Sequence, residues 1–186
     1  MFIQTEPTPN PATLKFLPGK SVMDRGTANF TTGDEAKASP LATRVFAVEG
    51  VEGVFLGADF VTATKIDSVE WDDLKPRILS AIMDHYTSGD PVITESAETG
   101  GDAAEGGEDS EIVGQIKELL DTRVRPAVAQ DGGDIVFQGF EDGIVYLHMQ
   151  GACAGCPSST ATLKYGIENM LRYYLPEVRE VRPVEQ

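Results

Sequence analysis

Between Thr94 and Ser110 the chain passes through Gly100-Gly101, Gly106-Gly107 and six acidic residues from Glu95 to Asp109, and no lysine or arginine falls between Arg77 and Lys117. Such a stretch has too little apolar surface to offset the entropy of ordering it, and its like charges repel. It reads as a flexible, acidic, Gly-rich linker over residues 94–110, which divides the chain into a first domain of residues 1–93 and a second of residues 111–186. With 186 residues, 41% of them hydrophobic, the chain can fill two small cores.

In the first domain, Phe2 to Thr5 and Thr13 to Leu17 read as paired strands separated by the proline-rich Thr5–Pro11. Gly26 to Lys37 shows no period and reads as loop. Ser39-Pro40 starts a helix, cap then proline, with Leu41, Val45, Phe46 and Val48 as its apolar stripe up to Gly50. Val51–Leu56 and Phe60–Ile66 flank Gly57-Ala58-Asp59 as a hairpin. Asp67 or Ser68 then caps a helix in which Trp71, Leu74, Ile78, Ile82 and Tyr86 fall at helical spacing.

The second domain opens with a helical stripe of Ile112, Ile116, Leu119 and Leu120, extended by Val124 and interrupted or kinked around Pro126. Gln130–Asp134 is a glycine turn into a strand at Ile135. Glu141-Asp142-Gly143 turns that strand into Ile144–Met149. A last helix presents Leu163, Ile167, Met170, Leu171 and Tyr174 inward and the Glu168–Arg172 pair to solvent, and Val178–Val181 adds an edge strand. The fold class is therefore α+β, as two small α+β domains.

Both cysteines of the chain, Cys153 and Cys156, lie in Gly151-Ala152-Cys153-Ala154-Gly155-Cys156-Pro157-Ser158-Ser159, where the second strand gives way to the last helix. An iron–sulfur cubane or a structural zinc takes about four soft ligands. Either two copies each donate Cys153 and Cys156 to one shared site, as a cluster or as a zinc-bridged dimer, or the pair acts alone as a dithiol–disulfide switch. Pro157 suits a helix start and Ser158 or Ser159 a cap, so the positive end of the helix would lower the thiol pKa and favour a thiolate centre over an inert buried thiol. Gly151 and Gly155 would let backbone N–H groups approach the sulfurs. His148 is a candidate extra ligand, His85 a weaker one. Asp131 and Asp134 could offer oxygen ligands, but their glycines read first as a turn. Lys164 could balance thiolate charge.

With 30 acidic against 15 basic residues the formal charge is −15, which repels phosphate backbones and anionic bilayers, so neither nucleic acid nor membrane is an expected partner. Met1–Pro7 has no basic n-region, and two closely spaced cysteines suit a reducing interior, so the cytoplasm is expected. No Ser/His/Asp arrangement or phosphate-cradling loop supports an enzyme.

Val128–Asp134 together with Gly151–Ser159 closely resembles the C-terminal domain of NifU-like (Nfu-type) iron–sulfur cluster scaffold and carrier proteins. Phe2–Pro11 with Leu14-Lys15-Phe16 resembles the N-terminal domain that accompanies it in mitochondrial and α-proteobacterial members. The resemblance implies a [4Fe–4S] cluster bridged between two protomers through Cys153 and Cys156. It further implies a homodimer when loaded, upstream assembly factors as donors, apo iron–sulfur proteins as clients, and no catalysis. The compartment would be a bacterial cytoplasm, or the mitochondrial matrix for a processed eukaryotic form. Two thiolates per copy on exposed loops at a symmetric seam would let the cluster leave by stepwise thiolate exchange. The first domain is then assigned to docking clients or partners.

Overall fold

The computed structural model describes residues 1–94, 110–154 and 157–184, with positions 110 and 157–159 described by backbone alone. The chain divides into two compact units, Met1–Gly100 and Gly101–Gln186. Apart from its end residues, the expected linker lies outside the described residues, as do Gly155 and Cys156.

The first unit comprises β1 (Gln4–Pro7), β2 (Thr13–Leu17), β3 (Ala28–Phe30), α1 (Gly33–Ala36), α2 (Pro40–Phe46), β4 (Val51–Leu56), β5 (Val61–Lys65) and α3 (Trp71–Ser88). Its strands form one antiparallel sheet in the order β1-β2-β5-β4-β3. Phe16, Val54, Leu56 and Val61 from the sheet meet Leu41 and Val45 of α2 and Leu74, Ile78 and Ile82 of α3 in one buried core. Ser39 caps α2, its hydroxyl accepting the Ala42 N–H at 3.0 Å, and Pro40 takes the first helical position.

Several expectations are corrected. The first strand starts at Gln4, leaving Phe2 exposed, and Pro7 is accommodated because β1 is an edge strand with no further neighbour to need its N–H. Gly26–Lys37 is not loop throughout: it holds β3 and α1, the latter closed by a capping box in which Thr32 and Glu35 bond each other's backbone. Helix α3 is entered from Glu70 without a side-chain cap, so neither Asp67 nor Ser68 serves.

The second unit comprises α4 (Ser110–Leu119), a π-helical turn (Leu120–Val124), α5 (Arg125–Gln130), β6 (Gly133–Glu141), β7 (Ile144–Gly151), α6 (Pro157–Tyr174) and β8 (Glu180–Val184). The interruption expected near Pro126 is this π turn. Pro126 has no N–H to return to Thr122, and the Arg125 N–H reaches back five residues to the Leu120 carbonyl. The wider turn also explains the buried stripe of Ile116, Leu120, Val124 and Val128. A four-residue spacing drifts by about 40° per step on a straight α-helix, and the π turn takes up part of that drift.

Strands β6 and β7 form the expected hairpin, turning at Asp142 (φ 51°) and Gly143 (φ 80°), the left-handed pair that suits the twist of a two-residue hairpin. Helix α6 carries the chain back so that β8 runs parallel to β7, giving the order β6-β7-β8. Val145, Leu147 and Val181 bury one sheet face against Ile167 and Leu171 of α6. Three details differ from expectation. Tyr174 is exposed; Glu168 is largely covered and its carboxylate accepts the Val181 N–H at 3.1 Å; and Ser158 and Ser159 are helical positions, since α6 opens at Pro157.

Candidate metal centre

Strand β7 delivers the chain to a tight turn. Gly151 adopts φ 62°, a left-handed conformation that a side chain would strain, and the Ala154 N–H bonds the Gly151 carbonyl at 3.1 Å. The turn is stitched to its neighbours at two points: the Ala152 N–H donates to the Gly132 carbonyl at 3.1 Å, and the Thr160 hydroxyl, on the first turn of α6, donates to the Cys153 carbonyl at 3.4 Å.

Cys153 is 6% exposed and packs into the apolar core of this unit. The expectation of a thiolate on an exposed loop is therefore corrected: in the single chain this side chain is stowed. The reason is Gly133. A Cβ built there would lie 2.4 Å from Cys153 Sγ and 3.0 Å from both the Cys153 nitrogen and the Gln150 carbonyl oxygen, so only a glycine lets the turn settle against β6. The glycine that makes room for the sulfur is Gly133. The signal was in the sequence, because a glycine at the start of a strand marks a close backbone approach.

The other candidates do not gather round Cys153. Among the described residues no three His, Cys, Asp or Glu side chains stand close enough to hold a metal ion. His148 is buried in β7 with Nδ1 3.2 Å from the Val184 carbonyl oxygen, a strand-to-strand contact. Asp131 is exposed at the end of α5. Lys164 leans toward Glu180 at 3.7 Å. His85 belongs to the first unit, inside α3.

Asp134 has a different partner. Its carboxylate is 4% exposed and accepts from Arg125 in a two-pronged pair, Nε to Oδ1 at 2.9 Å and Nη2 to Oδ2 at 2.8 Å, while Oδ1 also accepts the Ile135 N–H at 2.8 Å. Arg125 also donates to Asp121 at 3.0 Å. Hydrogen bonding to Asp134 is the main cause that raises the guanidinium pKa above its ordinary value. Sequence reasoning missed Arg125, since nothing in a nine-residue separation across α5 and the glycine turn signals the pairing.

Two small α+β units, the second carrying a cysteine turn between a β-hairpin and a helix, define a two-domain α+β protein. Residues 3–89 match the family model described as scaffold protein Nfu/NifU N terminal, and residues 116–182 match the NifU-like domain. The chain is 54% identical to the human "NFU1 iron-sulfur cluster scaffold homolog, mitochondrial", over 99% of this chain and 72% of that one. It is 56% identical to the Arabidopsis thaliana "NifU-like protein 4, mitochondrial", over 97% and 65% respectively. The solution structure of a NifU-like protein from Saccharomyces cerevisiae covers 51% of this chain and 86% of its own at 30% identity and a TM-score of 0.46. The chain belongs to the Nfu/NifU-like family of iron–sulfur cluster scaffold proteins.

Proposed function

We propose that the chain carries a [4Fe–4S] cluster as cargo, held between two copies by Cys153 and Cys156 of each, and hands it to apo-proteins. The observation that carries this is the ligand count. A cubane is held by four thiolates, the chain has two cysteines, and the described residues around Cys153 assemble no other metal-binding group. The pairing of two copies makes up the number, and the role is that of a scaffold and carrier rather than of an enzyme. Weak retention by two thiolates per copy suits transfer, because each thiolate can be exchanged in turn for one from the client.

The burial of Cys153 adds a step. Loading has to draw the turn from Gly151 to Ala154 outward so that Sγ reaches the shared site. Residues 1–93 form the part that docks clients or upstream assembly factors, residues 94–110 link it to the cluster-binding residues 111–186, and the mitochondrial names of the relatives favour the mitochondrial matrix over a bacterial cytoplasm. A dithiol–disulfide role has no observation in its favour: its nucleophile works exposed, and Cys153 is covered.

Anaerobic reconstitution of the full chain with iron and sulfide tests the reading. About two irons and two sulfides per chain in a brown dimer, lost in Cys153→Ala, is the expected result. A colourless monomer whose two thiols cycle between dithiol and disulfide would overturn it.

A further inference from the structure

We propose that Arg125 is a positioning residue for the cysteine turn, acting through Asp134. The contacts run in an unbroken series. Arg125 holds both oxygens of a carboxylate that is almost fully buried, and that carboxylate also caps the N–H of Ile135, so the start of β6 is pinned at Asp134. The residue before it is Gly133, where an added Cβ would run into Cys153 Sγ, and the residue before that is Gly132, whose carbonyl holds the Ala152 N–H. Cys153 is therefore seated on a backbone segment that the Arg125 guanidinium braces beside the β6–β7 ladder.

The π turn ends just before Arg125 and sets where its side chain leaves the helix, and Asp121, inside that turn, holds the guanidinium from its other side. A carboxylate this well buried requires its partner. Removing the guanidinium leaves a charge out of water, which the chain relieves by moving Asp134 and, with it, Gly132 and Gly133. The inference rests on the reading of Cys153 as a cluster ligand. Groups one shell out from a metal ligand orient it, and their loss commonly lowers metal affinity about 10–100-fold.

The test uses the full, cluster-free, reduced chain in a Cys156→Ser background. The rate at which iodoacetamide alkylates Cys153 is measured in denaturant too dilute to unfold the protein. Arg125→Gln and Asp134→Asn should each raise the rate about tenfold or more, and the double variant should add nothing to the larger single effect, because the two residues act as one unit. Arg125→Lys, which keeps the charge but not the fork, should recover part of the protection. If Arg125→Gln fails to fold, Asp134→Asn, of the same shape as the native residue, carries the test alone. Rates equal to the parent's, or increases that only follow the loss of global stability, would overturn the role. With both cysteines present, failure of the parent itself to take up iron and sulfide would count against the carrier reading. An unchanged thiol rate in a parent that does load would count against Arg125.

Discussion

Gly133 and Cys153 share one packing space, so that a single methyl on Gly133 would stand 2.4 Å from the sulfur. The clash cannot be relieved by the thiol alone, since the Cys153 nitrogen and the Gln150 carbonyl oxygen both lie 3.0 Å from the same point. Gly133→Ala should therefore push the whole turn off β6. Overpacking of this kind costs about 1–3 kcal/mol. The denaturation midpoint should fall and Cys153 should become reactive to iodoacetamide; an unchanged midpoint and a protected thiol would mean that the turn has another resting place.

In the first unit, His85 is fully buried in α3 with neither ring nitrogen bonded, its ring edge-on to Tyr86. Burial is the main cause that lowers its pKa from 6.5, the Arg44 guanidinium from α2 adds to it, and Asp90 opposes both. The unfolded chain therefore takes up the proton first as pH falls. The contribution to stability is complete above 6.5 and is lost as pH drops toward the depressed folded value. Denaturation of the parent and of His85→Leu at about pH 7.5 and about pH 5.5, either side of the ordinary histidine value, isolates it. The parent should lose more stability than the variant on acidification. Equal losses would show that His85 does not titrate in the transition.

Thr62 poses a related case in β5. It is 1% exposed, and its hydroxyl oxygen has no hydrogen-bond partner. Thr62→Val keeps the branched shape and removes the group whose burial goes uncompensated, so the variant should match the parent or exceed it by about 1 kcal/mol in denaturant. A clear loss of stability would show that the hydroxyl is bonded in solution.

What was legible in the sequence followed from period and turn chemistry. The stripe of Leu74, Ile78 and Ile82, the Asp142-Gly143 hairpin and the Ser39-Pro40 helix start each have a local cause, and each stands where expected. The three-residue β3 is too short to show a period, and it is held by pairing Phe30 with Val54 from far along the chain. Helix α1 was legible in principle, because Thr32 and Glu35 stand at capping-box spacing. At the site, the cysteine spacing and the flanking glycines were visible. The burial of Cys153 and the Arg125–Asp134 pair were not, for the first depends on β6 meeting the turn after β7 and the second on the start of α5 meeting β6 in space.

Ser39 joins two parts of the first unit through one hydroxyl. Its oxygen accepts the Ala42 N–H at 3.0 Å as the cap of α2 and donates its own proton to the Val92 carbonyl, fastening the segment after α3 back onto the start of α2. The residue is fully buried, so water cannot replace either bond. Ser39→Ala removes the cap, a loss of about 0.5–2 kcal/mol, and leaves the Val92 carbonyl without its donor. Ser39→Thr keeps the hydroxyl and separates this loss from crowding. The alanine variant should unfold at lower denaturant and show faster amide exchange at Ala42, with the second unit's amides unchanged. Exchange at Ala42 matching the parent's would mean that the N–H finds another acceptor and that the cap carries little of the helix's stability.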